Sequence, residues 1–174
     1  MNNIGLGCEN FSIAVYIANK PNMPEYQQLT NIMPLSSHEI SAINTDCGNG
    51  WRKVFNVYAK LLYALDTSYF NYSSNEATWQ TYRESFLLQT NSRTALLFSA
   101  PQPLTNKDSL HIICGKTYAN HLIATKQLSV DLTWLDSEFA IDKQNNLIVC
   151  PYFDYRQLSN IKIEKLVGLL ASLK

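Results

Sequence analysis

Apolar residues in this chain fall into two patterns, short unbroken runs and longer stretches with a repeat of three and four. "FSIAVYIAN", rich in β-branched and aromatic residues and halted by "KPNMPEY", predicts a first strand over Ser12 to Ala18. "RTALLFSAPQPL", cut by Pro101 and Pro103, predicts a second over Ala95 to Ser99. "SLHIICG", ended by Gly115, and "NNLIVCP", ended by Pro151, predict two more over Leu110 to Cys114 and Leu147 to Cys150. Continuous apolar runs of this length suit strands buried on both faces.

The repeat of three and four is clearest in "GNGWRKVFNVYAKLLYAL". Trp51, Val54, Phe55, Tyr58, Leu61, Leu62 and Leu65 form the stripe of an amphipathic helix, with Trp51, Phe55, Tyr58 and Leu62 expected to face the sheet. "SSNEATWQTYRESFLLQ" offers Ser74 as an N-cap, Ala77 where a capping-box acid would stand, and Trp79, Tyr82 and Phe86 at helical spacing. "YANHLIATKQL" and "IKIEKLVGLLASLK" also read as helices, while "LTWLD" and "FAID" are too short to assign. Strands alternating with helices predict an α/β fold: one three-layer domain over residues 1–174, with a mainly parallel central sheet flanked by helices.

Composition changes this picture in two ways. Charged residues are 16% of the chain, against about 25% in an average soluble protein, so uncharged polar groups must cover much of the surface. Fourteen basic residues balance fourteen acidic ones, which leaves no overall field to draw in nucleic acid or an acidic membrane. No apolar stretch reaches the roughly 18 residues a membrane helix needs, and "MNNIGLGCENF" lacks the basic and apolar regions of a signal peptide, so a soluble, unexported protein is expected. Cys8, Cys47, Cys114 and Cys150 are widely separated, without metal-type or redox spacing. Reduced thiols and a cytoplasmic location follow.

Candidate chemistry begins at "HIICGKTYANHL". A phosphate-binding P-loop needs a glycine five positions before the Gly-Lys pair, and that position holds Leu110, inside the strand. The stretch is therefore a strand-to-helix corner, with Gly115 in the turn and Lys116 and Thr117 at a helix N-terminus suited to an anion. His111 within an apolar run reads as a structural imidazole, and Cys114 with His121 supplies only two of the ligands zinc requires. Ser99 in "FSAPQ" lacks the Gly-x-Ser-x-Gly elbow of a hydrolase serine. Neither a catalytic residue, a metal nor a cofactor is nominated.

In open α/β sheets ligands bind outside the carboxyl ends of the strands. Three loops should meet there: "ANKPNMPEY" after the first strand, "FSAPQPL" after the middle one and "CPYFDYRQLSN" after the last. Asn19, Glu25, Tyr26, Lys116, Thr117, Tyr152, Asp154 and Arg156 are the candidate ligand-binding residues, able to stack a planar ring and hydrogen-bond its edge.

Taken in order, the Pro-containing first loop with its acid, the strand leading into "GKTYANHL" and the final "LIVCPYFDYRQLSNIKIEKLVGLL" resemble the uracil-DNA glycosylase superfamily. The resemblance implies an α/β domain of similar length with a base pocket at these strand ends, and makes Glu25 and Tyr26 the loose counterparts of the family's water-positioning acid and its aromatic neighbour. The family's first loop is Gly-rich, and its late loop carries a His-Pro-Ser triplet. Here the glycines are absent and the late loop reads Pro151-Tyr152-Phe153-Asp154-Tyr155. Kinship of fold is expected, and base excision is not.

The functional expectation is a non-catalytic binding domain for a small planar, nucleobase-like or anionic ligand. Nucleic acid is a partner that the neutral charge does not favour. Two alternatives stand beside it: a divergent glycosylase or hydrolase in which Glu25 or Asp154 activates water, and a protein-interaction module anchored by exposed aromatics. The oligomeric state is not legible in the sequence.

Overall fold

The computed structural model describes residues 2–73, 75–103 and 105–174. Among them, eight strands form one mixed sheet accompanied by six helices. The order along the chain is β1 (Gly5–Gly7), β2 (Ile13–Tyr16), α1 (Pro24–Gln27), β3 (Ile32–Met33), α2 (Glu39–Cys47), α3 (Asn49–Ala64) and α4 (Trp79–Ser85). It continues with β4 (Thr94–Leu97), β5 (Leu110–Cys114), α5 (Lys116–Ala124), β6 (Thr133–Trp134), β7 (Ala140–Asp142), β8 (Leu147–Cys150) and α6 (Asn160–Ala171). Across the sheet the strands run β3-β1-β4-β2-β5-β8-β7-β6.

The four expected strands are β2, β4, β5 and β8, and they form the parallel centre, β4-β2-β5-β8. All of their residues are buried. The pleat sends alternate side chains to opposite faces, so each apolar run supplies two cores. Ile13, Val15, Leu96, Ile112 and Ile148 join one cluster with residues of α2, α3, α4 and α6. Ala14, Tyr16, Ala95, Leu97, Ile113 and Val149 join a second with Ala119 and Leu122 of α5.

Helix α3 carries the first cluster. Trp51, Phe55, Tyr58 and Leu62 are buried as their spacing requires, and the Tyr58 hydroxyl donates to the Ala95 carbonyl at 2.9 Å, tying the helix to the sheet. The fourth helix starts later than its sequence suggests. Thr78 caps α4, with Thr81 completing a reciprocal capping box, whereas Ser74 lies outside the described residues. Phe86 has left the helix and is 46% exposed.

Antiparallel edges surround the parallel centre. "LTWLD" and "FAID" contain β6 and β7, antiparallel neighbours, and β7 pairs antiparallel with β8. On the opposite side β1 pairs antiparallel with β4 and parallel with β3. A Cβ on Gly5 would lie 2.3 Å from the Leu96 carbonyl oxygen, and one on Gly7 2.3 Å from that of Thr94, so this close approach needs glycine. Helix α2 hides in a polar stretch because only Ile40 and Ile43 of its nine residues are buried.

His111 sits in the sheet with both ring nitrogens occupied. Nε2 lies 3.0 Å from the Asn106 carbonyl and must donate to it, so Nδ1 accepts from the Tyr16 hydroxyl at 2.7 Å. Burial pushes its pKa below the ordinary value, consistent with a structural imidazole kept neutral.

Two outcomes follow from this packing. Phe55→Ala should cost on the order of 3 kcal/mol in denaturant unfolding, since the ring is fully buried; a loss near zero would mean that the helix does not carry the core. For His111, the unfolded chain binds the proton more readily between the depressed folded pKa and about 6.5, so its contribution is complete above that pH and is lost as pH falls. The unfolding midpoint should therefore drop between about pH 7.5 and 5.5, and drop less in His111→Gln.

Candidate functional site

Two neighbouring strands of the parallel centre send the chain in opposite directions. From β2 it passes through α1, the edge strand β3, α2, α3 and α4 to β4 on one side, whereas from β5 it passes through α5, β6 and β7 to β8 on the other. Loops leaving the carboxyl ends of β2 and β5 therefore diverge and leave a crevice between them. A cavity of about 700 Å³ occupies this place, lined by Ala18 beyond β2, Cys114 to Tyr118 and His121 of β5 and α5, and Pro151, Tyr152 and Gln157 beyond β8. Ser137 and Glu138, from the turn between β6 and β7, complete the wall. Its size is that of a small-molecule site.

The corner at Gly115 shapes one end. Gly115 has φ +96° and ψ 138°, a conformation natural to glycine, and its N–H donates to the Cys150 carbonyl at 2.8 Å, fixing the corner to β8. Helix α5 opens at Lys116, and the N-cap makes no side-chain bond to its first turn. The Lys116 ammonium lies 4.8 Å from the centroid of the Trp134 ring. Thr117 and His121, four residues apart, share a helical face and both line the cavity.

Tyrosines and amides shape the rest. Burial raises the pKa of the Tyr118 phenol, and does the same to Tyr152, where a hydrogen bond with the Asn19 side chain offsets part of the effect. Both stay protonated near neutrality and can present a hydroxyl to a ligand. Glu138 is neutralised by Lys162, whose ammonium donates to its two carboxylate oxygens at 2.7 and 2.9 Å. The site thus offers aromatic faces, uncharged hydrogen-bonding groups and one cation beside a helix N-terminus.

Among the sequence-nominated residues, Lys116, Thr117 and Tyr152 line this cavity, and Asn19 reaches it through Tyr152. Asp154 and Arg156 belong instead to the architecture of the loop before α6. The Asp154 carboxylate accepts from the Arg156 backbone N–H at 2.9 Å and from its guanidinium at 2.8 Å, with Lys53 at 3.5 Å. Arg156 above all holds this carboxyl well below the usual range. The Asp154 carbonyl accepts from the N–H groups of Gln157 and Leu158, both at 2.8 Å, which sets the course of the chain past the cavity.

Glu25 and Tyr26 lie on α1, outside the cavity lining. Tyr26 is buried and its hydroxyl donates to Glu39 of α2 at 3.1 Å, whereas Glu25 is exposed. The loop after β4 also turns elsewhere, because β4 lies beyond β2: Phe98 donates its N–H to Ile4, and the Ser99 hydroxyl accepts from the Ile4 N–H. The turn between β6 and β7 takes the place expected of that loop. His121 was detectable from its four-residue offset from Thr117, but Ser137, Glu138 and Gln157 carry no local signal of their position.

Among the described residues no three His, Cys, Asp or Glu side chains converge as a metal site, and no helix is long and apolar enough to cross a membrane. Fold and cavity together define an α/β protein with a ligand-sized hollow at the carboxyl ends of a parallel sheet. A family model described as a family of unknown function, DUF6942, matches residues 4–171, and the chain belongs to that family. No curated protein and no solved structure matches it.

The corner is open to a direct test. Gly115→Ala should destabilise the protein by about 1 to 3 kcal/mol in denaturant unfolding through backbone strain alone, because no other group lies within 4 Å of the added Cβ. An unchanged stability would mean that the turn relaxes without glycine.

Proposed function

We propose that this chain is a non-catalytic binding domain for a planar, nucleobase-like or anionic ligand held at the carboxyl ends of β2, β5 and β8. The observation that carries this reading is the composition of the cavity at the crossover of the sheet. Tyr118 and Tyr152 offer rings to a planar group, Gln157 adds an amide to the wall, Asn19 holds Tyr152 by a hydrogen bond, and Lys116 and Thr117 lie at the end where negative charge is favoured. The resemblance to the uracil-DNA glycosylase superfamily supports the ligand class and a shared three-layer arrangement. The two apolar clusters on opposite faces of the sheet agree with such layering. Buried Cys114 and Cys150, both free thiols, agree with a reducing compartment such as the cytoplasm.

A catalytic reading is weaker on the geometry of the two acids. Asp154 is held by Arg156 and Lys53, and Glu25 lies on α1 outside the cavity wall, so neither is placed to activate a water over a ligand in that cavity.

A thermal-shift panel of free nucleobases, nucleotides and short oligonucleotides tests the proposal, since a ligand selective for the folded state raises the melting temperature by mass action. At least one planar or anionic compound should raise it. Lys116→Glu should weaken that compound by roughly 1 to 3 kcal/mol and alter folding stability by less than about 0.5 kcal/mol. A panel without any shift, or robust release of uracil from DNA by the protein, overturns the reading.

A further inference from the structure

We propose that the β6–β7 hairpin is a movable wall of the cavity, held shut by two lysine–carboxylate pairs between its turn and helix α6. The two strands of this hairpin are unequally anchored. All three residues of β7 are buried and paired with β8, from Ala140↔Val149 to Asp142↔Leu147. The outer strand β6 has two residues, ends the sheet, and pairs through Thr133↔Ile141 and Trp134↔Ala140, with the Leu135 N–H donating to the Phe139 carbonyl at 2.8 Å to close the turn. Between them the turn Leu135 to Glu138 stands largely in solvent, with Leu135 46% exposed.

This turn is the part that reaches both the cavity and α6. Ser137 and Glu138 face the cavity, while Lys162 holds Glu138 and Lys165 holds Asp136. The lysines are three residues apart on α6, so both approach the turn from one side of that helix. Asp136 also accepts from the N–H groups of Glu138 and Phe139 at 2.8 and 2.7 Å, which makes the turn one rigid unit. Lys165, followed by those two amides, holds the Asp136 carboxyl down to about 2, so the Lys165–Asp136 pair stays charged throughout the neutral range.

Exposure makes the latch weak enough to open. The four side chains of the two pairs are between 36% and 43% exposed, the range in which ion pairs contribute little and are screened by salt. An outward swing about β7 would carry off two cavity residues and also Trp134, the ring beneath the Lys116 ammonium. One movement would therefore widen the hollow and release the cation at its far end. This inference concerns access to the cavity, and holds whatever ligand the cavity takes.

Hydrogen exchange followed by mass spectrometry tests it on the intact protein without a ligand. Peptides covering residues 132–142 should exchange about 3- to 10-fold faster in roughly 0.5 M than in 0.02 M sodium chloride, with peptides of β5 and of β8 beyond Leu147 unchanged. The double variant Lys162→Ala, Lys165→Ala should exchange fast in the hairpin at low salt already, with no further response to salt. Lys162→Arg, Lys165→Arg should restore the behaviour of the parent. The wild-type salt comparison stands by itself if the alanine variant folds poorly. Hairpin exchange that ignores salt, or that accelerates only together with β5 and β8, would show a fixed wall and overturn the proposal.

Discussion

Everything in this protein hangs on β2 pairing in parallel with a strand on each side. Ile13 to Tyr16 register against Thr94 to Leu97 of β4 and against Leu110 to Ile113 of β5. A strand so placed has no free edge, and its four residues are completely buried. It must be apolar on both faces, and Ile13 with Val15 and Ala14 with Tyr16 supply one half of each core. Because β2 lies between strands reached in opposite directions, the same pairing also opens the crevice at its carboxyl end. Core and candidate site share one cause.

Several polar groups within the core are matched by hydrogen-bond partners, whereas the buried Tyr82 hydroxyl has none among the described residues. His111 spends one nitrogen on Asn106 and the other on Tyr16, and Tyr58 finds the Ala95 carbonyl. Asp142, at the end of β7, accepts from the backbone N–H groups of Asp131, Gln144 and Asn145, so its buried carboxylate organises the turn that follows. Such bonds add modestly to stability when made and cost more when one partner is removed. They align the strands rather than supplying most of the folding energy.

Charge in this molecule is local because so little of it is present. Ion pairs flank the cavity, with Asp154 held to Lys53 and Arg156 on one side and Asp136 and Glu138 held to α6 on the other, while a further pair, Arg83 with Glu84, lies apart on α4. Lys116 rests over Trp134 instead of against a carboxylate. The acids nearest the cavity wall, Asp136 and Glu138, are each paired with a lysine of α6.

The sequence by itself determined the parts of the fold that follow from local periodicity. Four unbroken apolar runs read as doubly buried strands, the stripe from Trp51 to Leu65 as a helix against them and Gly115 as a strand-to-helix corner, and the structure has all three. It left α2, β1 and the β6–β7 hairpin unread, because two buried isoleucines, a Gly-Leu-Gly tripeptide and strands of two or three residues hold too little pattern to stand out. The site divided in the same way. Lys116, Thr117, Tyr152 and Asn19 follow strands that the pattern reveals, so their meeting could be anticipated. Glu25, Tyr26, Asp154 and Arg156 lie in or beside the same loops, yet Tyr26 is tied to Glu39, Arg156 is tied to Asp154, and Glu25 is exposed on α1 away from the cavity lining. Ser137 and Glu138 reach the cavity only because β7 turns back along β8. Such pairing joins positions through hydrogen bonds between backbones, and backbones are alike for every residue, so only the tertiary structure could decide it.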